Sequence, residues 1–232
     1  MSGYAEAIRR LRVALDQSLC WRGGDQASAT GEGKVIMVGS TVPGEGKSNT
    51  ALALGRTYAG SGLRTLLIDC DLRKPRIHHM LGAEPDASLM HYLTGAREAG
   101  DCENMCQPDH ATALEIILGA GRSNSPADQL LVGPRFSALL ESCRASFDII
   151  ILDTPPLLPL VDGLYLARSA DAITLVVKWA STTRQDVRSV LPALFDAKKE
   201  SAAILCALNQ ERRGRLDYYK LYTSYYGKPK NA

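Results

Sequence analysis

The stretch STVPGEGKSNT, residues 40–50, combines residue types that could hold a polyphosphate. Gly44 and Gly46 would let backbone N–H groups converge on phosphate oxygens without an intervening Cβ, and a helix beginning directly afterwards would add positive potential. The side chain of Lys47 can reach β- and γ-phosphates, and the hydroxyl of Ser48 can ligate Mg²⁺. The predicted ATP-binding residues are Pro43, Gly44, Glu45, Gly46, Lys47, Ser48 and Asn49.

The loop departs from the strict phosphate-loop pattern GxxxxGK[ST] at one position, because Thr41 stands where that pattern requires glycine. Its flanks still favour a nucleotide site, since the apolar segment KVIMVGS precedes the loop and a helical segment follows it at once. The alternative, a glycine turn beside an isolated lysine, accounts for neither flank.

Two further apolar segments, LLIDCD and IIILDTPP, end in carboxylates. Parallel strands place their carboxyl ends on one edge of a sheet, where ligands bind in open α/β folds. Aspartates at the ends of buried strands are costly unless a cation pairs with them, and Mg²⁺–ATP supplies one. The alternative, that an aspartate caps the next helix, suits any single residue but not all three. The residues expected to converge are Lys47, Ser48, Asp69, Asp71 and Asp153.

The elements that must position these residues alternate between apolar strands and helices, which predicts an α/β fold with a mostly parallel central sheet flanked by helices. Strands are expected within residues 34–40, 64–71, 114–121, 148–156, 171–178 and 201–210, and the irregular stretch 98–113 allows an edge strand. Helices are expected within residues 5–15, 47–62, 74–82, 88–95, 125–147, 161–169 and 182–197.

The composition fits one globular α/β domain, with 45% hydrophobic and 22% charged residues in a chain of 232. A net charge of +2 gives no reason to expect a nucleic-acid partner. No apolar run approaches the ~20 residues of a membrane span, and no signal peptide is evident, so we expect a cytoplasmic chain or a cytoplasmic part of a longer one. For Cys102, Cys106 and His110, an ordinary surface segment is favoured over zinc ligation.

Five of the nine tyrosines lie within YYKLYTSYYG, residues 218–227. The lysines, glycine and proline around them predict a disordered tail over residues 211–232, after a domain that spans residues 34–210 and a helix within residues 1–20. The tyrosines are either substrates of the ATP site, which we favour, or an aromatic patch that docks on a partner or on the domain. The predicted phosphorylation sites are Tyr218, Tyr219, Tyr222, Tyr225 and Tyr226.

Two families with such a deviant Walker A loop differ five residues before the loop lysine. Positioning ATPases of the ParA/MinD type have a signature lysine there, and this chain has Val42. Instead, the chain resembles the bacterial protein-tyrosine kinases of capsule and exopolysaccharide export over nearly its whole length. The resemblance rests on the loop PGEGKS, on the Walker A′ segment LLIDCDLRKP with Arg73 and Pro75, on the Walker B segment ILDTPP and on the tyrosine-rich tail.

The resemblance implies a tyrosine autokinase that uses ATP and Mg²⁺ to phosphorylate the tail of a neighbouring copy. Asp69 is similar to the family's proposed base. Asp71 and Asp153 would hold Mg²⁺ together with Ser48, and Lys47 would stabilise charge on the transferring phosphoryl group. A nucleotide-switched positioning ATPase of the ParA/MinD type is the alternative function.

The resemblance also implies partners. Glu6, Arg9 and Arg12 match the family's oligomerisation motif and would join copies into a ring, although their spacing alone favours a solvated helix face with local ion pairs. A transmembrane polysaccharide co-polymerase would hold the kinase at the inner face of the cytoplasmic membrane, and a phosphotyrosine phosphatase would reverse the reaction. Asn209 follows the last strand and either pairs with adenine or lies in an ordinary turn.

Overall fold

The computed structural model describes residues 3–20, 32–83, 88–96, 105–121 and 126–211. The five tail tyrosines and Cys102 lie outside these ranges, and so do residues 212–232 of the predicted disordered tail.

The described residues form a seven-stranded sheet with the order β3-β4-β2-β5-β1-β6-β7. Every neighbouring pair is parallel except β3 and β4. This confirms the predicted α/β fold with a mostly parallel sheet, and β3 is the edge strand that the irregular stretch allowed. The strands are β1 (Lys34–Ser40), β2 (Thr65–Asp69), β3 (Gln107–Pro108), β4 (Glu115–Ile117), β5 (Ile149–Asp153), β6 (Ala172–Lys178) and β7 (Ala203–Asn209).

Helices cover both faces of the sheet, which is why the inner strands are apolar at almost every position. Two helices form within residues 126–147 and meet at Gly133, and α8 begins with a capping box in which Thr183 is the N-cap. The helices are α1 (Gly3–Ser18), α2 (Lys47–Ala59), α3 (Ile77–Leu81), α4 (Leu89–Leu93), α5 (Ala127–Val132), α6 (Pro134–Ser146), α7 (Asp162–Ala167) and α8 (Arg184–Ala197).

Helix α1 packs on α2, against the same face of the sheet. Ile8 and Leu15 are buried there, and the guanidinium of Arg12 lies 4.9 Å from the centre of the Tyr58 ring. Across the described ranges, no helix is both long enough and apolar enough to cross a bilayer.

The register of the central strands brings their carboxyl ends to one edge of the sheet. Asp69, at the end of β2, lies opposite Asp153, at the end of β5. On the other side of β5, Asp153 lies opposite Val38 of β1, two residues before that strand ends. The loop after β1 and the aspartates after β2 and β5 therefore share this edge.

Candidate active site

The loop between β1 and α2 has the backbone shape of a phosphate cradle. Gly44 and Gly46 have φ values of 85° and 94°, in the left-handed region that favours glycine. Gly46 is the N-cap of α2, where no side chain caps the helix, so Lys47 and Ser48 occupy its first turn. The N–H groups of this first turn are available to an anion.

The ammonium group of Lys47 lies among the acidic side chains. Its Nζ is 2.8 Å from Oδ2 of Asp71, 3.7 Å from Oδ1 of Asp153 and 3.3 Å from Oγ of Ser48. Burial alone would lower the pKa of Lys47, but the charges of Asp153 and Asp71 outweigh burial and raise it. The lysine is therefore firmly protonated.

Asp153 is fully buried, and neither of its carboxylate oxygens has a hydrogen-bond partner among the described residues. Burial raises the pKa of Asp153 to about 6, and the positive charge of Lys47 and the nearby hydroxyl of Ser48 offset part of that effect. Lys47, at 3.7 Å, compensates this buried charge only in part, so the carboxylate favours a further cation beside it. The site therefore fits a magnesium ion bound beside Asp153.

That ion would need oxygens from outside the protein. Within the described ranges, no three acidic, histidine or cysteine side chains are arranged to coordinate a metal by themselves. Mg²⁺ commonly binds through one or two carboxylates, with phosphate oxygens and water completing its shell. Asp153, Asp71 and Ser48 are consistent with such a shared site.

Asp69 organises the loop after β2. Its Oδ1 accepts a hydrogen bond from the N–H of Asp71 at 3.2 Å, and its Oδ2 accepts one each from the N–H groups of Arg76 and Ile77 at 3.1 Å. Burial, with the nearby charge of Asp153, raises the pKa of Asp69 to about 7. Asp69 thus anchors the loop through three backbone N–H groups, a structural role that sequence motifs did not reveal.

Arg73 ties the same loop to α7. Its guanidinium donates to both carboxylate oxygens of Asp162, from Nε at 2.8 Å and from Nη2 at 3.2 Å. Asp162 is buried, whereas Arg73 remains partly exposed. This bidentate pair fixes the loop that carries Asp71.

Glu45 was predicted as part of the ATP site, and its side chain proves to be buried and engaged within the protein. Oε2 accepts from the N–H of Val42 at 2.8 Å, while Oε1 accepts from the N–H of Lys178 at 3.4 Å and from the hydroxyl of Thr182. Only the backbone of Glu45 can therefore face a phosphate.

Two side chains at the end of β7 also hold this loop. Asn209 donates from Nδ2 to the carbonyl of Glu45 at 2.8 Å, and Gln210 donates from Nε2 to the carbonyl of Gly44 at 3.1 Å. Neither Gln210 nor Thr182 was predicted as a site residue, and no motif signals them. The amide nitrogen of Asn209 thus contacts the loop itself.

The three residues of the predicted oligomerisation motif make contacts within this chain. Glu6 lies 3.6 Å from Nε of Arg9 and 3.6 Å from Nε of Arg10, and Arg12 lies 3.4 Å from Asp16. Glu6 and Arg9 remain partly exposed. Their contact with another copy stays a prediction.

Three comparisons place the chain among known proteins. Residues 33–205 match a family model described as an AAA domain. The chain is 31% identical to the tyrosine-protein kinase YwqD of Bacillus subtilis over 83% of this chain and 80% of that protein. It is 36% identical to the succinoglycan biosynthesis transport protein ExoP of Rhizobium meliloti over 82% of this chain, but spans only 23% of ExoP.

The same fold occurs in solved structures of such proteins. The chain superposes on the kinase domain of VpsO with a TM-score of 0.68 and 30% identity, over 90% of this chain and 100% of that one. The family match over most of the chain, the extensive similarity to YwqD and the shared fold together establish that this chain belongs to the bacterial tyrosine-protein kinase family.

Proposed function

We propose that this chain is the catalytic part of an ATP-dependent protein-tyrosine kinase of exopolysaccharide synthesis. The proposal rests on one observation above all. The ammonium of Lys47, directly after the phosphate loop, is held by Asp71 and lies 3.7 Å from buried Asp153, whose carboxylate accepts no hydrogen bond from the part of the chain that the structure describes. A magnesium nucleotide would supply the anion that this loop accommodates and a second cation beside Asp153, in addition to Lys47.

The reaction transfers the γ-phosphoryl group of ATP to a tyrosine hydroxyl. A P–O bond forms to the tyrosine oxygen, the bond to the β-phosphate oxygen breaks, and ADP leaves. Lys47 stabilises negative charge on the transferring group. Ser48, Asp71 and Asp153 would hold Mg²⁺, which would neutralise negative charge on the phosphate oxygens.

Asp69 acts as the base that receives the hydroxyl proton. An ordinary tyrosine has a pKa of ~10, so at neutral pH it reacts faster when a base accepts its proton. The raised pKa of Asp69, about 7, suits that role, and amide hydrogen bonds fix the position of its carboxylate.

The substrates are the tail tyrosines of a neighbouring copy in a ring. Glu6, Arg9 and Arg12 contribute to the contact between copies, and a transmembrane co-polymerase holds the assembly at the membrane.

Each phosphate adds about −1.5 to −2 charges, which would repel the tail from an acidic, phosphate-filled site. Phosphorylation thus releases the tail and loosens the ring, until a phosphatase resets it. An unchanged oligomer in native mass spectrometry before and after dephosphorylation would contradict this step.

The proposed activity is tested by incubating the chain with Mg²⁺–ATP and mapping phosphotyrosine by mass spectrometry. Label is expected among Tyr218, Tyr219, Tyr222, Tyr225 and Tyr226. Phosphate release without phosphotyrosine would instead favour a nucleotide-switched ATPase.

Three variants assign the chemistry. Lys47→Met should abolish labelling and Asp69→Asn should reduce it strongly, whereas Lys34→Met, at the opposite end of β1, should leave it intact.

Transfer between copies is tested by mixing the Lys47→Met chain with an active chain whose tail tyrosines are phenylalanine. The inactive chain should become labelled, and its failure to do so would exclude transfer between copies.

A further inference from the structure

We propose that Asn209 and Gln210 are positioning residues, which hold the phosphate loop so that its N–H groups face the nucleotide. Asn209 ends β7, and Gln210 follows it with a left-handed φ of 59°. This inference rests on the nucleotide-binding part of the proposed function and is independent of tyrosine phosphorylation.

Both side chains bind backbone carbonyls of the loop. The amide groups of Asn209 and Gln210 donate to the carbonyls of Glu45 and Gly44, at 2.8 Å and 3.1 Å. Asn209 lies so close to the backbone that a Cβ on Gly46 would overlap its Nδ2. The φ of 94° favours glycine at position 46, and a Cβ there would displace the amide of Asn209 from the loop.

The geometry of the peptide bond turns these contacts into a constraint on the phosphate site. In a trans peptide, a carbonyl and the N–H of the next residue point in opposite directions, and the described chain has no cis peptide. Holding the carbonyl of Gly44 fixes the N–H of Glu45, and holding the carbonyl of Glu45 fixes the N–H of Gly46. Two donors of the cradle are thus oriented before any phosphate arrives.

The side chain of Glu45 holds the loop from a second direction. Its carboxylate accepts hydrogen bonds from the N–H and hydroxyl groups of Lys178 and Thr182, which lie at and just after the end of β6. It also accepts one from the N–H of Val42, within the loop itself. The ends of β6 and β7 together therefore support the cradle without a side chain that must touch phosphate.

Recognition of the base would be a different role for Asn209. A residue that pairs with adenine alters affinity for ATP but not for a ligand without a base. A residue that aims loop N–H groups alters affinity for every polyphosphate by a similar factor. Inorganic tripolyphosphate with Mg²⁺ separates the two roles, because it contains phosphates alone.

The experiment measures the affinity of Mg²⁺–ATP, Mg²⁺–GTP and Mg²⁺–tripolyphosphate by calorimetry for the full chain and its variants. Asn209→Ala and Gln210→Ala should each weaken all three ligands by a common factor of about three to ten, the effect of one lost hydrogen bond. The matched control is Leu208→Ala, on an exposed side chain of the same strand, and it should leave all three affinities unchanged.

Loss of affinity for ATP alone would overturn the proposal in favour of base recognition, and unchanged affinities in both variants would exclude any role. Thermal unfolding without ligand shows whether Asn209→Ala still folds. If that variant does not fold, Gln210→Ala decides the matter, because Gln210 is exposed and its truncation leaves the core intact. Absence of tyrosine phosphorylation in the unmodified chain would contradict the proposed function without affecting this result.

Discussion

Replacing Asp153 with asparagine should stabilise the protein in the absence of ligand and abolish its response to magnesium nucleotide. In the structure this carboxylate is fully buried, has no hydrogen-bond donor among the described residues, and lies 3.7 Å from the nearest ammonium, that of Lys47. Asparagine has the same shape without the charge, so the substitution removes an unfavourable buried anion and leaves the surrounding packing in place.

The size of the effect follows from the pKa. Burial raises the pKa of Asp153 from 3.8 to about 6, and each pKa unit corresponds to about 1.4 kcal/mol. The raised pKa therefore costs the folded state about 3 kcal/mol at about pH 8, where the carboxylate is ionised, and about half of that at about pH 5, where it is mostly protonated. The new amide is buried without hydrogen-bond partners, which costs about 1–2 kcal/mol and offsets part of this stabilisation. The net stabilisation expected for Asp153→Asn is about 1–2 kcal/mol at about pH 8 and near zero at about pH 5.

The sign with pH is fixed by linkage. A carboxyl group whose pKa is raised in the folded state favours folding below its unfolded pKa and loses that contribution as the pH rises through the folded value. Unfolding by urea in the presence of EDTA measures the difference between Asp153→Asn and the unmodified chain at each pH. A variant that is less stable than the unmodified chain at about pH 8, or a difference independent of pH, would refute the reasoning.

The second half of the experiment adds ligand. A nucleotide at about one hundred times its Kd stabilises the unmodified protein by about 2.7 kcal/mol, and Asp153→Asn should show little of this because the ion loses its buried ligand. A full ligand response in the variant would mean that Asp153 does not hold the metal.

Asp171→Asn is the matched control because its carboxylate has the opposite environment. Burial alone would raise the pKa of Asp171, but hydrogen bonds from Arg144, Lys199 and the N–H of Val35 hold it below the ordinary value. A carboxyl group whose pKa is lowered in the folded state stabilises that state at pH values above its unfolded-state pKa. This stabilisation is lost as the pH falls through the folded-state pKa. Asp171→Asn should therefore destabilise the protein at neutral pH, by about 2 kcal/mol, with the difference vanishing in strong acid.

Three further substitutions test other parts of the structure. Arg73→Ala should reduce the free energy of unfolding by about 3 kcal/mol in urea, since it leaves buried Asp162 without its partner, and a loss below about 1 kcal/mol would contradict this role. Gly119→Ala should abolish Mg²⁺–ADP binding in calorimetry. Its Cβ would overlap the carbonyl of Asp69 and displace the end of β2, which leads into the site, so retained binding would contradict this prediction. Thr183→Ala should lower stability by about 1 kcal/mol in thermal unfolding through loss of the α8 cap, and should leave nucleotide binding unaltered.

Local patterns in the sequence were enough to predict most of the elements. Strand β1 was expected at residues 34–40 and forms there, because a short apolar run between polar segments can bury itself only inside a sheet. The pattern of residues 125–147 predicts either one helix or two, and the structure has two, which meet at Gly133. Most other differences concern ends, as in α2, which stops at Ala59 before the turn that contains Gly60 and Gly62.

The convergence of the site residues was also predictable from the chain, because the motifs that carry them are contiguous. A phosphate loop between strand and helix, and aspartates at the ends of two further strands, predicted where Lys47, Asp71 and Asp153 would meet. In the structure the carboxylates of Asp71 and Asp153 both lie within 4 Å of Nζ of Lys47. These residues can be recognised in the sequence because each lies at or just after the end of a strand. In a parallel α/β fold, all of these strand ends lie on the same edge of the sheet.

The support of the phosphate loop was decided only by the tertiary structure. Asn209 and Glu45 are 164 residues apart, and their contact requires β6 to pair with both β1 and β7 in one particular register. A slip of one residue in β7 would turn Asn209 to the opposite face of the sheet. Strand order and register arise from burial summed over the whole sheet, so no local pattern reveals which distant amide will hold a carbonyl of the loop.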